Sequence, residues 1–161
     1  MERRHEPVLL DTALLDRVTR LARESPRGRR NFNLHPADDH PAHRLLNAIE
    51  PGSYIAPHRH ADPDKDESIV VVRGSVAVAF FDEEGRETSR TTLAAGGETF
   101  GVDVPHGVFH TLWALEPGSA FFEAKAGPYR PLSAAERAPW APAEGSPEAA
   151  DWLRRLVAGA R

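Results

Sequence analysis

The chain has 161 residues, a formal net charge of −4 and no cysteine. A chain of this length forms one domain, which buries roughly two thirds of the surface that the unfolded form exposes. The absence of cysteine excludes disulfides, thiolate metal sites, iron–sulfur clusters and a cysteine nucleophile. The acidic balance argues against nucleic-acid binding, and the sequence shows neither a signal peptide nor the ~20 apolar residues of a membrane span. We therefore expect a soluble, cytoplasmic protein that binds neither nucleic acid nor membrane.

An amphipathic helix is predicted near the amino terminus, over residues 11–24. Its apolar residues recur at helical spacing, and Asp11 can cap the free N–H groups of the first turn. The opposite face and the loop that follows are rich in arginine: Arg17, Arg20, Arg23, Arg27, Arg29 and Arg30. A solvated helix face is the simpler interpretation of this charge run, and contact with an anionic ligand or partner is the alternative.

The region between Arg44 and Lys125 consists of short β-type runs separated by turn residues, with no helical period. The predicted strands span residues 44–50, 52–60, 67–73, 75–82, 86–93, 98–104, 108–115 and 119–125. The segment FFDEEGRET predicts a hairpin with Glu84 and Gly85 at its turn. Short antiparallel strands with glycine corners favour a sandwich or barrel over a parallel α/β fold.

The segment after Lys125 is rich in proline, so we expect it to wrap the surface without forming a sheet or a long helix. A short final helix is predicted with Ser146 as its cap and Pro147 in its first turn. The apolar stripe of this helix would consist of Trp152, Leu153, Leu156 and Val157.

The predicted single domain has three parts. Residues 1–30 form the amino-terminal helix and arginine-rich loop, which we expect to pack on the core. Residues 31–130 form the β barrel, and residues 131–161 form the proline-rich tail with the final helix.

Two histidines stand one residue apart in the segment PHRH. Because successive strand residues point to opposite faces, His58 and His60 share one side of the predicted 52–60 strand, about 6.6 Å apart. Both imidazoles can then reach one ion at the ~2.1 Å of a metal–nitrogen bond. Glu67 opens the next predicted strand, and His110 follows the turn in VPHGVFH. Three neutral nitrogens and one carboxylate suit a divalent first-row metal with positions left open for water or substrate.

Other histidines offer alternatives to this set. His106 flanks the same turn as His110 and is the alternative third nitrogen ligand. His35, His40 and His43 can form a second metal cluster, although a polar loop with incidental histidines explains them more simply.

Three further side chains are candidates for binding or chemistry. Tyr54 shares the strand face of His58 and can act as a general acid toward a metal-bound substrate. A tyrosine that fills the barrel with its hydroxyl satisfied is the alternative. Glu123 and Lys125 share one face of the last strand and can bind a polar substrate near the ion, or they form an ordinary ion pair.

The segment FHTLWAL places Phe109, Thr111 and Trp113 on the side of their strand opposite His110. An apolar outer face of a barrel sheet needs a cover, and from this we predict a homodimer.

These motifs resemble those of the cupin superfamily. Gly52, His58, His60, Glu67 and Gly74 follow the order of the first cupin motif, and PHGVFH resembles the second. The resemblance implies an all-β core, a double-stranded β-helix or jelly-roll barrel, here with an N-terminal α-helix and a short C-terminal helix. It also implies one divalent metal ion inside the barrel, held by His58, His60, Glu67 and His110. We expect iron, zinc, manganese or nickel.

A narrower resemblance extends over most of the chain. HRLLNAIEPGSYIAPHRH and ESIVVVRGSVAVAFFDEEG, among other segments, are similar to the WbuC family of cupin-fold metalloproteins. Members occur among bacterial surface-polysaccharide (O-antigen) genes, which implies a small sugar or sugar-nucleotide-like ligand with the metal as Lewis acid. A metal-dependent isomerase or epimerase is then one expectation. The alternatives are an Fe(II)-dependent dioxygenase and a non-catalytic sugar-binding or regulatory cupin with a structural metal.

Overall fold

The structure, a computed structural model, describes residues 6–159. The first five residues and the last two, which belong to the predicted amino-terminal and carboxy-terminal parts, lie outside the described residues. The elements are α1 (Thr12–Glu24), β1 (Arg29–Asn33), β2 (Ala42–Ile49), β3 (Glu67–Arg73), β4 (Ser75–Phe81), β5 (Glu87–Ala94), β6 (Gly101–Val104), β7 (Phe109–Ala114), β8 (Ser119–Ala126) and α2 (Ala149–Val157). No helix in residues 6–159 has the length and apolarity needed to span a membrane.

The strands form two antiparallel sheets that face each other. The larger has the order β1-β2-β8-β3-β6 and the smaller has the order β5-β4-β7. Side chains from both sheets are buried between them: Ile49, Ile69, Val71, Val76, Val78, Leu93, Leu112 and Phe121. The alternation that predicted β3 is present, since Glu67, Ile69 and Val71 are buried while their neighbours Ser68, Val70 and Val72 are exposed. The predicted all-β core with one helix at each end is confirmed.

Helix α1 covers the outer face of the larger sheet. The Asp11 carboxylate accepts a hydrogen bond from the Leu14 backbone N–H at 2.9 Å, which is the predicted cap. Leu14, Val18 and Ala22 form one buried cluster with residues of β2 and β8. The apolar stripe therefore seats the helix on the barrel.

Strand β1 was not predicted; it begins at the end of the predicted arginine-rich loop and extends to Asn33. The strand pairs with β2 in a register that places Asn31 opposite Asn47. Its sequence RRNFN contains one apolar residue, Phe32, so no alternation of apolar and polar side chains marks it as a strand. This edge strand forms because it pairs with β2, and the sequence of residues 29–33 alone does not indicate that pairing.

The prediction of a continuous strand over residues 52–60 is wrong. Only His58 forms bridges there, to His110 on one side and to Arg137 on the other. Pro57 lies inside the segment and has no N–H to donate to a ladder. The segment is extended, but it forms only isolated β-bridges to its neighbours instead of a continuous ladder.

The carboxy-terminal part covers the outer face of the smaller sheet. Phe109 and Trp113 belong to one buried cluster with Leu153 and Leu156 of α2. The face from which a homodimer was predicted, including Thr111, is therefore covered by the chain itself. A homodimer stays a prediction, but it loses this support.

Helix α2 starts later than predicted. It begins at Ala149 with Glu148 as its N-cap residue, without a capping hydrogen bond from a side chain. The Ser146 carbonyl accepts a hydrogen bond from the Ala149 N–H, whereas the Ser146 hydroxyl is buried with no partner in the described part of the chain. Ser146 thus closes a turn before the helix and is not the predicted cap.

Candidate metal centre

Three of the four predicted ligands meet at one place in the barrel, and the fourth, His110, contacts one of them. The ligand atoms of His58, His60 and Glu67 all lie within 4.8 Å of one another. His110 Nε2 lies 3.1 Å from Glu67 Oε2, and His60 Nε2 lies 3.4 Å from the same oxygen. One carboxylate oxygen therefore faces imidazoles from two separate segments, and the ring centroid of His58 lies 4.8 Å from that of His110.

The backbone sets these positions. His58 and His110 exchange both backbone hydrogen bonds, which brings the loop before β3 against β7. Glu67 is the first residue of β3 and points inward because the residues of that strand alternate in burial. The Gly107 N–H donates to the His60 carbonyl at 2.7 Å, which ties the second histidine to the turn before β7.

The tautomers of two imidazoles follow from their neighbours. His58 Nδ1 lies 3.0 Å from the Ala56 carbonyl, and His110 Nδ1 lies 2.9 Å from the Val108 carbonyl. A carbonyl oxygen can only accept, so each Nδ1 carries the proton and each Nε2 of a neutral ring has a free lone pair. This is the orientation that metal-binding histidines commonly have.

His60 Nε2 provides a test of whether a metal fits. This nitrogen is buried and has no hydrogen-bond partner within residues 6–159. Buried polar atoms are nearly always satisfied, so an orphaned imidazole nitrogen beside a carboxylate calls for a ligand. A divalent cation would satisfy it together with Glu67, and the donor set fits that group.

The electrostatics favour cation binding. Burial, with the nearby His110, lowers the pKa of His58 to about 4, so its ring is neutral at neutral pH. Burial opposes ionisation of Glu67, but its contacts with His110 and His60 hold the pKa of Glu67 well below its ordinary value. The centre thus combines the neutral imidazole of His58 with an ionised carboxylate, the protonation states that metal ligands require.

Glu123 and Lys125 lie beside Glu67 in neighbouring strands. Lys125 is opposite Glu67 in the register of β8 with β3, and its Nζ lies 3.4 Å from Glu67 Oε1. The same ammonium donates a hydrogen bond to Glu123 Oε1, and Asn47 Nδ2 donates to Glu123 Oε2 at 2.7 Å. Burial and the charge of Glu67 raise the pKa of Glu123 to about 8. Lys125 therefore links the predicted ligand to a second buried carboxylate.

A pocket of about 520 Å³ opens beside the centre. His58, His60 and Lys125 line its inner part, while Glu123 is not among its lining residues. Of the two predicted substrate-binding residues, only Lys125 thus reaches the pocket. The remaining wall comes from the loop before β3 and from the tail, including Asp62, Lys65, Tyr129, Arg130, Leu132, Ser133 and Glu136.

Tyr54 is placed differently from the prediction. Its hydroxyl donates a 2.7 Å hydrogen bond to the Pro142 carbonyl, and its ring lies edge-on to Trp152 in the cluster under α2. Burial raises the pKa of Tyr54 above its ordinary value. Tyr54 does not line the pocket, and we do not retain it as a general acid.

The other histidines are engaged elsewhere. His106 is exposed, and its Nδ1 lies 2.8 Å from Asp66 Oδ1, so His110 and not His106 faces Glu67. His35 and His43 stack with ring centroids 3.9 Å apart. Their ring nitrogens contact backbone groups of Arg44 and Asp38, which supports the interpretation as a polar loop.

Most of the arginines near the amino terminus pair within the chain. Arg20 pairs with Glu24, Arg23 with Glu50, and Arg27 and Arg29 both with Glu144 of the tail. These contacts tie α1 and β1 to the rest of the molecule. They leave the predicted anionic partner without support from this region.

The tail contributes a contact to the histidine segment that was not predicted from the sequence. The Glu136 carboxylate accepts hydrogen bonds from the Ala61 N–H at 3.1 Å and from the Ser133 N–H at 2.9 Å. These bonds lower the pKa of Glu136 to about 2. The spacing S-x-x-E, here Ser133 to Glu136, is a capping-box pattern and was the signal available in the sequence.

Comparison with solved structures supports the fold. The chain is similar to KdgF from Halomonas sp., with 22% identity over 66% of this chain and 84% of that one, at a TM-score of 0.51. It is also similar to the conserved protein SPY1581 of unknown function from Streptococcus pyogenes, with 13% identity over 78% and 92% of the two chains, at a TM-score of 0.52. At these identities the likeness concerns the fold alone, which is the predicted cupin-type jelly roll.

Sequence comparisons add the family. No match to the chain is found among curated proteins. A family model described as a domain of unknown function, DUF6016, matches residues 10–93, which include His58, His60 and Glu67. Since the matched region is just over half of the 161 residues, the chain belongs to the DUF6016 family.

Proposed function

We propose that the chain is a metal-dependent cupin that binds one divalent cation through His58, His60, Glu67 and His110. The observation that carries this proposal is the buried His60 Nε2 without a partner in residues 6–159, 3.4 Å from Glu67 Oε2. The same oxygen lies 3.1 Å from His110 Nε2. A cation would replace these direct contacts with bonds to each donor.

The alternative without a metal is a hydrogen-bonded histidine–carboxylate cluster. A protonated His110 could donate to Glu67, but that bond leaves His60 Nε2 unsatisfied. A single cation could bond to all of these donor atoms, including His60 Nε2.

The pocket supports binding of a small molecule at the ion. His58 and His60 line the cavity of about 520 Å³, so part of the donor set is open to a ligand. A bound cation with open positions would supply Lewis-acid chemistry, polarising a carbonyl or holding a hydroxyl of the ligand. Lys125, with about a quarter of its side chain exposed, can donate a hydrogen bond to a ligand oxygen next to Glu67.

The ligand class is part of the proposal. The pocket wall presents donors and acceptors such as Lys65, Arg130 and Ser133, which suit an oxygen-rich molecule. Together with the resemblance to the WbuC family, this leads us to propose a sugar or sugar-nucleotide-like ligand in bacterial surface-polysaccharide biosynthesis. Membership of the WbuC family stays a prediction. Isomerisation or epimerisation of the ligand is the reaction that we propose to test first.

The proposal is tested by metal analysis followed by assays. Purified protein stripped with a chelator is incubated separately with Fe(II), Zn(II), Mn(II) or Ni(II), desalted and analysed for bound metal. We expect about one ion per chain for the wild type and almost none for a His60→Ala variant. Protein that binds no divalent ion under these conditions would refute the metal centre.

The reconstituted protein is then assayed with a panel of sugars and sugar nucleotides. Isomer formation that requires the metal supports the Lewis-acid function. Oxygen uptake found only with Fe(II) would assign the dioxygenase alternative instead. Ligand binding without turnover would assign the non-catalytic alternative.

A further inference from the structure

The segment that carries His58 and His60 is held at both edges. On one edge it bonds to β7, where the His58 N–H donates to the His110 carbonyl at 3.1 Å and the His110 N–H donates to the His58 carbonyl at 2.9 Å. On the other edge it bonds to residues 133–138, which we term the tail strap. The Arg59 N–H donates to the Glu136 carbonyl at 2.9 Å, and the Ala138 N–H donates to the Pro57 carbonyl at 3.1 Å.

The side chain of Glu136 adds a second connection at the end of this pairing. Its two carboxylate oxygens accept from two backbone groups on different segments, the Ala61 N–H and the Ser133 N–H. Ala61 directly follows His60. One carboxylate therefore closes the turn of the tail strap and fixes the residue next to a predicted ligand.

His60 depends on its backbone more than the other two histidines do. The rings of His58 and His110 are each oriented by an Nδ1 contact to a carbonyl two residues earlier. His60 Nδ1 has no such contact within residues 6–159. The His60 ring lies beside Glu67 Oε2 and the rings of His58 and His110. Its backbone is held by the Gly107 N–H, which donates to the His60 carbonyl, and by the flanking Arg59 and Ala61 N–H groups, which donate to Glu136. Loss of the Glu136 carboxylate would remove one of these backbone supports.

We propose that Glu136 is a positioning residue of the metal centre and that the tail strap is a structural part of that centre. Glu136 acts through the backbone of Ala61 to hold His60 at bonding distance from the ion, and it does not bind the ion. This inference rests on the proposed metal site. It adds that residues far beyond the last ligand determine the affinity and geometry of the centre.

The substitutions that test this role differ in how many acceptors they remove. Glutamine is isosteric with glutamate but has one oxygen and one NH₂ group, so Glu136→Gln can keep one of the two backbone bonds and loses the other. Glu136→Ala loses both. Glu83→Gln is the matched control, because Glu83 pairs with Arg59 of the same segment at 2.6 Å but is largely exposed and makes no contact with Ala61.

Cobalt(II) is the probe, because its visible absorption reports the number and geometry of its ligands. The affinity of the wild type and the three variants for Co(II) is measured by competition with a chelator, together with the absorption spectrum of each complex and the melting temperature of each metal-free protein. Removing a group that supports a metal ligand commonly weakens binding about 10–100-fold, and we expect that range for Glu136→Ala. Glu136→Gln should show a smaller loss, both should alter the Co(II) spectrum, and the control should match the wild type.

The outcomes separate the two proposals. A wild type that binds no Co(II) refutes the metal centre itself. Wild-type affinity and an unchanged spectrum in both Glu136 variants, with only a lower melting temperature of the metal-free protein, overturns the positioning role. If Glu136→Ala does not fold, the isosteric Glu136→Gln decides by the same two readouts.

Discussion

His58 and His110 face each other across a two-bond backbone bridge, with N···O distances of 3.1 and 2.9 Å and ring centroids 4.8 Å apart. The two residues come from distant segments, so this pairing exists only in the folded protein. Binding of the proposed metal ion at such a site would be coupled to folding, and the ion would stabilise the folded state by its binding free energy.

A first prediction distinguishes His110 from His106. His110→Ala should abolish stabilisation by metal, because it removes a buried donor that faces Glu67. At a metal concentration 100 times the dissociation constant, the wild type should gain about 2.7 kcal/mol in free energy of unfolding. Chemical denaturation with and without metal measures this difference. His106→Ala should behave as the wild type, and the reverse pattern would show that the ligand assignment is wrong.

A second prediction concerns the ammonium between two buried carboxylates. Lys125→Met leaves Glu67 and Glu123 without their shared cation, and breaking a buried pair in this way costs about 3–5 kcal/mol. Urea denaturation of metal-free protein measures the loss. The double variant Lys125→Met with Glu67→Gln should recover part of it, because it removes the carboxylate that is ionised at neutral pH. Equal stability of the single and double variants would contradict this explanation.

A third prediction concerns Tyr54. Tyr54→Phe should lower the free energy of unfolding by about 1 kcal/mol, because it removes the hydrogen bond to the Pro142 carbonyl. Metal affinity and any turnover should not change, since the hydroxyl does not reach the pocket. A large fall in turnover with an altered pH profile would restore Tyr54 as a general acid.

A fourth prediction compares two glycines. A Cβ at Gly127 would lie 1.9 Å from the His40 carbonyl oxygen and 2.7 Å from the His43 ring, whereas a Cβ at Gly96 would meet nothing within 4 Å. Gly96→Ala should cost about 1–2 kcal/mol from its φ of +72° alone. Gly127→Ala requires backbone movement and should cost at least about 3 kcal/mol, the upper end of overpacking. Thermal melts of both variants test this order.

A fifth prediction concerns acid stability. The pKa of Glu136 is lowered from 4.5 to about 2 in the folded protein, so its stabilising contribution is present above pH 4.5 and is lost as the pH falls toward 2. At pH 6 the melting temperature of the wild type should be higher than that of Glu136→Gln. The difference between the two melting temperatures should be smaller at pH 3. Metal-free protein is used, so that metal binding does not contribute. A gap that does not depend on pH would contradict this assignment.

Local patterns predicted much of the barrel. The hairpin after Phe81 formed as expected, with the Asp82 carboxylate accepting from the Glu84 and Arg86 N–H groups and Gly85 at a φ of +82°. The turn residues specify this structure within a few positions of one another. The alternation that begins at Glu67 likewise placed its carboxylate inside. The ligand atoms of His58 and His60 lie near that carboxylate, and their role as metal ligands stays a prediction.

Features that depend on distant partners could not be predicted in the same way. Phe109 and Trp113 had the sequence pattern of an exposed apolar face, but the cover is α2 of the same chain. Tyr54 alternates with the histidines in sequence, yet Pro57 interrupts the strand and the tyrosine lies under the helix. Glu136 lies in a proline-rich tail, where the spacing of Ser133 and Glu136 predicts their local hydrogen bond but not the contact with the distant Ala61.

The segment with His58 and His60 pairs with β7 on one edge and with the tail strap on the other, and this affects the order of events during synthesis of the chain. All four candidate ligands leave the ribosome before residues 133–138, which supply the second edge of that segment. A nascent chain that ends shortly after His110 carries every candidate ligand but lacks the tail strap, which bonds to the segment around His60. We therefore expect tight uptake of the proposed ion at a late stage of synthesis, after Ala138 has emerged, and not at the moment when the last candidate ligand appears.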